Sequence, residues 1–583
     1  VDPGHPFPFL SNLSLSLAVE VRDPVTDERK FARVKVPEIL PRFVPLDSSL
    51  GGESSSDRPL PAADEPRRFV PLEQLIAAHL DQLFPGMEIV GHYPFRVTRD
   101  MDVEILEDEA HDLLAAVDRE IRQRRFGACV RLEVDPVVPE RIRQFLIEKL
   151  EIDKDDVYES PGLLGLSGLM SLAFINRADL RDPPFVAKIP PELGEGADIF
   201  AAIRGGDILL HHPYDSFAPI LDFLNRGADD PYVLAIKMTL YRAGSNAEAL
   251  RALVRAAENG KQVAVSIEIK ARFDEENNIG WARKLERVGA HVFYGAAGMK
   301  THAKAALIVR REGDRLVRYA HLSTGNYNAS TARLYTDLGM LTANPEIGED
   351  VSELFNSLSG FARTSYRKLA VAPAGLLPAI LAKIEEQAER ARGGKPSRIF
   401  AKLNSLVDMR VIQALYRASK AGVPIHLVVR GVCCLRPGVP GVSDNIRVLS
   451  IIGRFLEHER VYVFGTEGEE EFFLSSADWM PRNLDRRVEV LFPVESEKLR
   501  DQIRKEVVQL AVGESSRVYD MNADGQYQRR KLAPGQAEVG VQESVLDWVV
   551  GHGRLSIAPA SSIPPVSRPS STNGNGTANS DST

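Results

Sequence analysis

GMKTHAKAALIV, residues 298–309, sets a histidine two places before a lysine and follows both with an apolar run. Side chains alternate across a strand, so the spacing predicts His302 and Lys304 on one face, at the mouth of a strand that then enters a core. Taken alone, His-x-Lys reads first as a histidine on an edge strand beside a lysine whose stem lies along apolar surface. The surroundings decide between that reading and a chemical site.

Outward from this strand the chain alternates strand and helix. YVLAIKM (232–238) reads as a strand, and AEALRALVRAAENGK as an amphipathic helix stopped by Gly260. VAVSIEI, the helix NIGWARKLERVGA, HVFY and, after the quoted strand, YAHLSTG follow. This order predicts a mostly parallel sheet with covering helices. A helical link, KLAVAPAGLLPAILAKIEEQAERAR, leads into the same order again. RIFAKLN is a strand, DMRVIQALYRASKAG a helix ending at Gly422, and IHLVVRG a strand; VLSIIGRFLEHERVYVFG and EEFFLSSADW close the pattern.

The two halves correspond in residues as well as in order. THAKAALIV matches EHERVYVFG, which sets His302 and Lys304 against His458 and Arg460. LSTGNY (322–327) matches LSSADW (474–479), with Asn326 against Asp478, and a carboxylate lies eleven residues beyond each: Asp337 and Glu489. VSIEIKARF matches IHLVVRGVC, bringing Lys270 and Arg272 level with Arg430. Each half thus offers an imidazole, a cation and a carboxylate, which suits phosphoryl chemistry. An imidazole nitrogen can attack phosphorus and carry the group as a phosphoramidate. A carboxylate behind the ring fixes its tautomer and stabilises positive charge on it. Lysine and arginine offset the charge on the equatorial oxygens in the transition state.

The whole chain sets the bounds. Its 583 residues, 44% hydrophobic and 26% charged, suit several domains. Residues 1–205 read as an α+β domain, with strands LSLSLAVEV, FARVKV, HYPFRVTRD and VRLEV and helices EQLIAAHLDQLF and EDEAHDLLAAVDREIRQRRF. A Ser-, Pro- and Gly-rich stretch over 46–68 predicts a mobile loop, and a helical stretch is expected from Pro139 to about Arg177. The proline-rich RDPPFVAKIPPELGE is a candidate boundary. Residues 206–372 and 373–560 form the two α/β lobes, and 561–583 a disordered tail. A net charge of −9 gives no sign of a general nucleic-acid binder. No apolar run approaches the ~18 residues of a membrane span. Three cysteines without a CxxC pair form neither a disulfide framework nor a zinc site, so a reducing cytoplasm is expected. The opening VDPGHPFPFL, without an initiator methionine, reads as a clipped start.

Paired HxK motifs on duplicated α/β lobes resemble the phospholipase D superfamily. Within it, KMTLYR, IEIKARFDEENN, KTHAK, LSTGNYN, ARLYTD, VVRGVC, SDNI, FLEHER and SSADWM, in that order, resemble long-form polyphosphate kinases over residues 6 to about 545. The aspartate usual in the superfamily beyond the HxK lysine is Val309 here, as suits a kinase rather than a lipase. The resemblance implies reversible transfer of the ATP γ-phosphate to inorganic polyphosphate. His302 would be the nucleophile that becomes phosphohistidine, and His458 an acid or phosphate contact. Glu489 and Asp337 would orient the imidazoles, and Tyr335 and Arg430 match nucleotide-binding positions. Lys304, Arg460 and Arg487 would line a basic tunnel. Arg242 and Arg272 match positions placed at a Mg²⁺ site; arginine has no lone pair for a metal, so both read as phosphate clamps beside an ion held by phosphate oxygens and water. ATP, ADP and polyphosphate are the expected partners, in a cytoplasmic homo-oligomer (dimer or tetramer) with peripheral association at the inner face of the cell membrane. The family's additional N-terminal helical domain has no counterpart before PFPFL, which predicts weaker reading of the base. Two rivals stand beside this reading: a phosphodiesterase using the same two histidines, and an inactive polyphosphate-binding scaffold.

Overall fold

The computed structural model describes residues 7–46, 68–100, 127–175, 177–241, 248–269, 275–294, 299–360, 365–513, 515–532, 534 and 538–550. The expected helix over 107–126, residues 47–67 of the expected loop, and the tail at 561–583 lie outside them, as do Arg242, Lys270 and Arg272. The chain divides into two compact units at Pro184/Phe185, within the proline-rich connector rather than at 205/206.

In the first unit, the almost wholly buried strand Leu15–Arg22 pairs antiparallel with Arg29–Lys35 and Glu88–Arg99. Cys129–Val134 and Val157–Glu159 extend the sheet. Helix Glu140–Leu150 sets Ile142, Leu146 and Leu150 against Phe95, Val97, Leu132 and Val134. The helix expected to run to Arg177 stops at Leu150, where Glu151 turns left-handed at φ 53°. Pro161 and two glycines with positive φ, Gly162 and Gly165, break the helical run, and only a 3₁₀ segment, Leu166–Phe174, returns.

The second unit contains two sheets of matching order. In the first lobe His291–Phe293, Gln262–Ile267, Val233–Leu240, Lys304–Glu312, Arg315–Ser323 and Tyr335–Thr342 lie side by side, with Ile208–His212 against the last. In the second, Ile446–Ile451, Ile425–Val429, Ile399–Leu403, Arg460–Phe464, Glu471–Ser475 and Val490–Val494 repeat the sequence, with Ala370–Val371 against the last. The sheets are mixed rather than mostly parallel. The parallel neighbours are joined by long crossovers, helical except for the loop between Ile425–Val429 and Ile446–Ile451; Lys304–Glu312 and Arg315–Ser323 are joined by a tight turn with Gly313 at φ 59°, which forces an antiparallel hairpin.

The expected helices form where their apolar periodicity lies. Glu248–Glu258 buries Leu250, Leu253 and Val254, and Gly260 follows at φ 79°. Met409–Lys420 is capped by Asp408, which accepts from Arg410 and Val411 N–H, and Gly422 follows at φ 97°. One apolar core joins the lobes: Ala305, Leu307, Leu322, Leu338 and Met340 from the first, and Phe400, Val461, Leu474, Val490 and Phe492 from the second. Each of these side chains larger than alanine contributes about 1.5–3 kcal/mol on burial, so the lobes are held together by their cores.

Two short parallel ladders tie one lobe to the other. Lys300–Thr301 pairs with Arg487–Val488, and Tyr335–Thr336 pairs with Leu456–Glu457. Under the internal duplication each ladder is the image of the other, so the lobes are related by an approximate two-fold. That two-fold passes between the histidines.

Candidate functional site

His302 sits between the ladder segment Lys300–Thr301 and the strand that starts at Lys304, not within the strand itself. Its backbone N–H and that of Ala303 both donate to the Val488 carbonyl at 2.9 Å, which fixes the ring at the seam between lobes. His302 Nδ1–H donates to Glu489 Oε2 at 2.8 Å. Glu489 is fully buried and also accepts from the Ser476 hydroxyl at 2.6 Å and the Asn483 amide at 2.7 Å. Tyr241 packs perpendicular to the ring at 4.8 Å.

His458 repeats this arrangement. Its Nδ1–H lies 2.8 and 2.9 Å from the two oxygens of Asp337, and the Thr324 hydroxyl donates to the same carboxylate at 2.7 Å. The His458 N–H donates to Thr336 Oγ1 at 3.1 Å, and the Tyr335 ring lies 5.2 Å away. Thr336 in turn donates to Glu459, whose partner is the buried Lys402. The carboxylates are therefore exchanged: each histidine is oriented by an acid from the opposite lobe. The correspondence of the halves displays all four residues but does not say which acid faces which histidine.

The cations differ. Lys304 Nζ donates to His302 Nε2 at 2.9 Å and is 2% exposed. Arg460 donates to the His458 carbonyl at 2.8 Å and to Asp478 at 3.2 and 2.9 Å. Arg430 Nε donates to Asn404, and Arg487 lies 3.9 Å from Glu489. Arg430 also feels the charges of Arg460, Asp478 and Asp337 and interacts with Tyr335, so it belongs to the same constellation. His302, His458, Lys304, Arg460, Asp337, Glu489, Tyr335, Arg430 and Arg487 thus converge.

Burial, reinforced by Lys304 and Arg487 and opposed by Glu489, pulls the His302 imidazole down to about 3. Burial and Arg460, against Asp337, also lower His458. At neutral pH both rings are neutral, with the proton on Nδ1 and the lone pair on Nε2. Burial pulls the Lys304 ammonium down to about 7, Glu489 and Asp337 opposing and Arg460 and Arg487 adding. Burial pushes the Glu489 and Asp337 carboxyls up, but the adjacent imidazoles, hydroxyls and cations more than offset it, and both stay below the ordinary range.

Sequence reasoning assigns no role to Ser476, Thr324, Asn483 or Tyr241. The first two carry a signal, since LSTGNY and LSSADW hold a hydroxyl at the same place. Asn483 carries none. Among the described residues no group of three His, Cys, Asp or Glu could hold a metal ion. The two central acids are both bound to histidines, so these side chains do not fit a protein-held Mg²⁺.

Two neutral, carboxylate-oriented imidazoles at a pseudo-two-fold, each with a cation two residues on, define a duplicated transfer site for anionic groups. Three family descriptions match along the chain: "Polyphosphate kinase middle domain" over 1–172, "Polyphosphate kinase C-terminal domain 1" over 198–364 and "Polyphosphate kinase C-terminal domain 2" over 369–542. A polyphosphate kinase of Prosthecochloris aestuarii is 55% identical over 529 residues, 91% of this chain and 73% of that protein. A polyphosphate kinase of Streptomyces coelicolor is 49% identical over 555 residues, 94% of this chain and 72% of that protein. The crystal structure of polyphosphate kinase from Porphyromonas gingivalis superposes with a TM-score of 0.81 at 32% identity, over 94% of this chain and 80% of that one. The chain belongs to the polyphosphate kinase family.

Proposed function

We propose that this chain is an ATP:polyphosphate phosphotransferase that works through a phosphohistidine at His302. The observation that carries the reading is the neutral His302 ring, proton on Nδ1 toward Glu489 and lone pair on Nε2. Nε2 attacks the γ-phosphorus of ATP; the N–P bond forms as the bond from phosphorus to the bridging oxygen breaks, and that electron pair leaves with ADP. The ring, now cationic, keeps its Nδ1 proton and is stabilised by the Glu489 carboxylate. A terminal oxygen of polyphosphate then attacks phosphorus, the N–P bond breaks and the neutral imidazole returns. Lys304, whose ammonium meets the Nε2 lone pair in the free site, transfers its hydrogen bond to a phosphoryl oxygen as the N–P bond forms. His458, oriented by Asp337, stands opposite as acid or phosphate contact, and Tyr335, Arg430, Arg460 and Arg487 contact nucleotide or chain. Mg²⁺ would come bound to the nucleotide phosphates and would offset part of their charge, since no group of acids and imidazoles among the described residues is placed to hold it.

Arg242 and Arg272 as phosphate clamps, the phospholipase D-like assignment of the lobes 206–372 and 373–560, the dimer or tetramer, and a cytoplasmic or peripheral membrane location rest on the family resemblance. No helix among the described residues is long and apolar enough to cross a membrane. The test is labelling with [γ-³²P]ATP. The native chain should acquire acid-labile, base-stable phosphate, and His302→Ala should lose it together with polymer synthesis while retaining its thermal transition. Label at the native rate in His302→Ala would overturn the nucleophile.

A further inference from the structure

The two halves of the site differ in charge at the residue that faces the cation of the second half. Asp478 occupies in LSSADW the place that Asn326 has in LSTGNY. In the second half Asp478 accepts from Arg460 Nε at 3.2 Å and Nη2 at 2.9 Å, while Nη1 donates to the His458 carbonyl at 2.8 Å. Every nitrogen of the guanidinium is engaged, and the carboxylate is itself fixed by the Asn404 N–H at 2.7 Å. In the first half Asn326 is neutral, and its buried Oδ1 has no hydrogen-bond partner. Lys304 meets His302 Nε2 and, among the described residues, forms no ion pair with a carboxylate.

We infer that Asp478 determines which histidine carries the phosphoryl group: by neutralising and anchoring Arg460 it leaves Lys304 as the cation free to receive phosphoryl charge, and so assigns the group to His302. The inference rests on the phosphohistidine reading above and adds a residue that breaks the symmetry. A phosphoryl group on Nε2 brings about two negative charges into a nearly dry seam. On His302 it meets an ammonium that no carboxylate pairs with directly, Glu489 and Asp337 acting on it only from beyond ion-pair distance. On His458 it would meet a guanidinium already balanced, with the Asp478 carboxylate behind it repelling the newcomer. Asp478 touches neither ring nor substrate and acts through Arg460, as a positioning residue.

The experiment exchanges the pair. Full-length Asn326→Asp, Asp478→Asn and the double exchange are incubated with [γ-³²P]ATP, and the acid-labile phosphate is mapped to the peptides bearing His302 and His458. In Asn326→Asp, an isosteric change that places a carboxylate where Asp478 stands in the second half, label on His302 should fall about tenfold or more, the worth of one charged hydrogen bond. In the double exchange, label should move to the His458 peptide, a relocation that a merely structural role would not produce. Native labelling of His302 in Asn326→Asp, or a double exchange that still labels His302 alone, overturns the inference. Should Asp478→Asn fail to fold because it leaves a buried guanidinium unpaired, the labelling of Asn326→Asp alone is decisive. A native chain that takes up no label at all would instead refute the phosphohistidine reading itself.

Discussion

His302 and His458 have the same protonation state and each has its own orienting acid, so their difference must come from what touches Nε2. At His302 that is Lys304, 2.9 Å away and pulled down to about 7 by burial, a cation that can let go of the ring and follow the phosphoryl group. At His458 the nearest cation is held 3.4 Å away on Asp478. A general acid or charge-stabilising contact contributes roughly 10²- to 10⁴-fold, whereas a nucleophile is indispensable. His458→Ala should therefore lower kcat by that factor yet still permit slow labelling of His302. Total loss of labelling in the variant would place His458 in the first transfer step. These residues were legible in the sequence because the duplication displays each twice, with Asp337 and Glu489 at the same distance from their LSTGNY and LSSADW segments. The exchange of acids between lobes was not legible. It depends on two-residue ladders, Lys300–Thr301 with Arg487–Val488 and Tyr335–Thr336 with Leu456–Glu457, too short to leave a periodic pattern.

At the scale of elements, the turn after Arg315–Ser323 controls where the Asp337 carboxylate can lie. A Cβ added at Gly325 would meet the Asp337 carboxyl carbon at 2.3 Å. The second lobe has Ala477 at the matching place, and there the acid is Glu489, one methylene longer and able to reach past a methyl group. Glycine goes with the short acid and alanine with the long one. Gly325→Ala should displace Asp337 from His458 by an ångström or so, a misplacement that costs on the order of 10²-fold in turnover. Ala477→Gly should cost no more than the loss of a small buried side chain. Steady-state kcat and the thermal midpoint of both variants check this; equal activity in the two would show that the glycine is not kept for the acid. Strands and helices of the lobes were legible from periodicity and glycine stops. Strand direction was not, because a hairpin between Lys304–Glu312 and Arg315–Ser323 reads like any two consecutive strands.

At the scale of the molecule, the same burial that makes the site work couples folding to pH. Burial pulls His302 and His321 down to about 3 and His426 to about 4, and it lowers His212 and His458 as well. A group whose folded value is depressed binds a proton on unfolding. Its contribution to stability is present above the unfolded value of about 6.5 and is lost as pH falls toward the folded value. Two groups act in the opposite sense. His211 is raised, Glu506 and Glu459 outweighing burial and Lys402, and burial raises Asp215 to about 6, Lys188 and His211 pulling the other way. Their contribution is present at low pH and lost as pH rises. Five lowered imidazoles outnumber these two, so stability should fall on acidification from about pH 6.5 to about 4.5, above the range in which ordinary carboxylates titrate. Each net proton taken up steepens the fall by about 1.4 kcal/mol per pH unit. Denaturant unfolding at a series of pH values measures the slope, and proton uptake on unfolding measures its cause. His426→Gln removes one of the five at a strand position between Phe400 and Arg447, outside the proposed site, and should flatten the slope without altering His302 labelling. A stability that stays level or rises between pH 6.5 and 4.5 would mean that the imidazoles are charged in the folded chain, and with that the lone pair on His302 Nε2 would be gone.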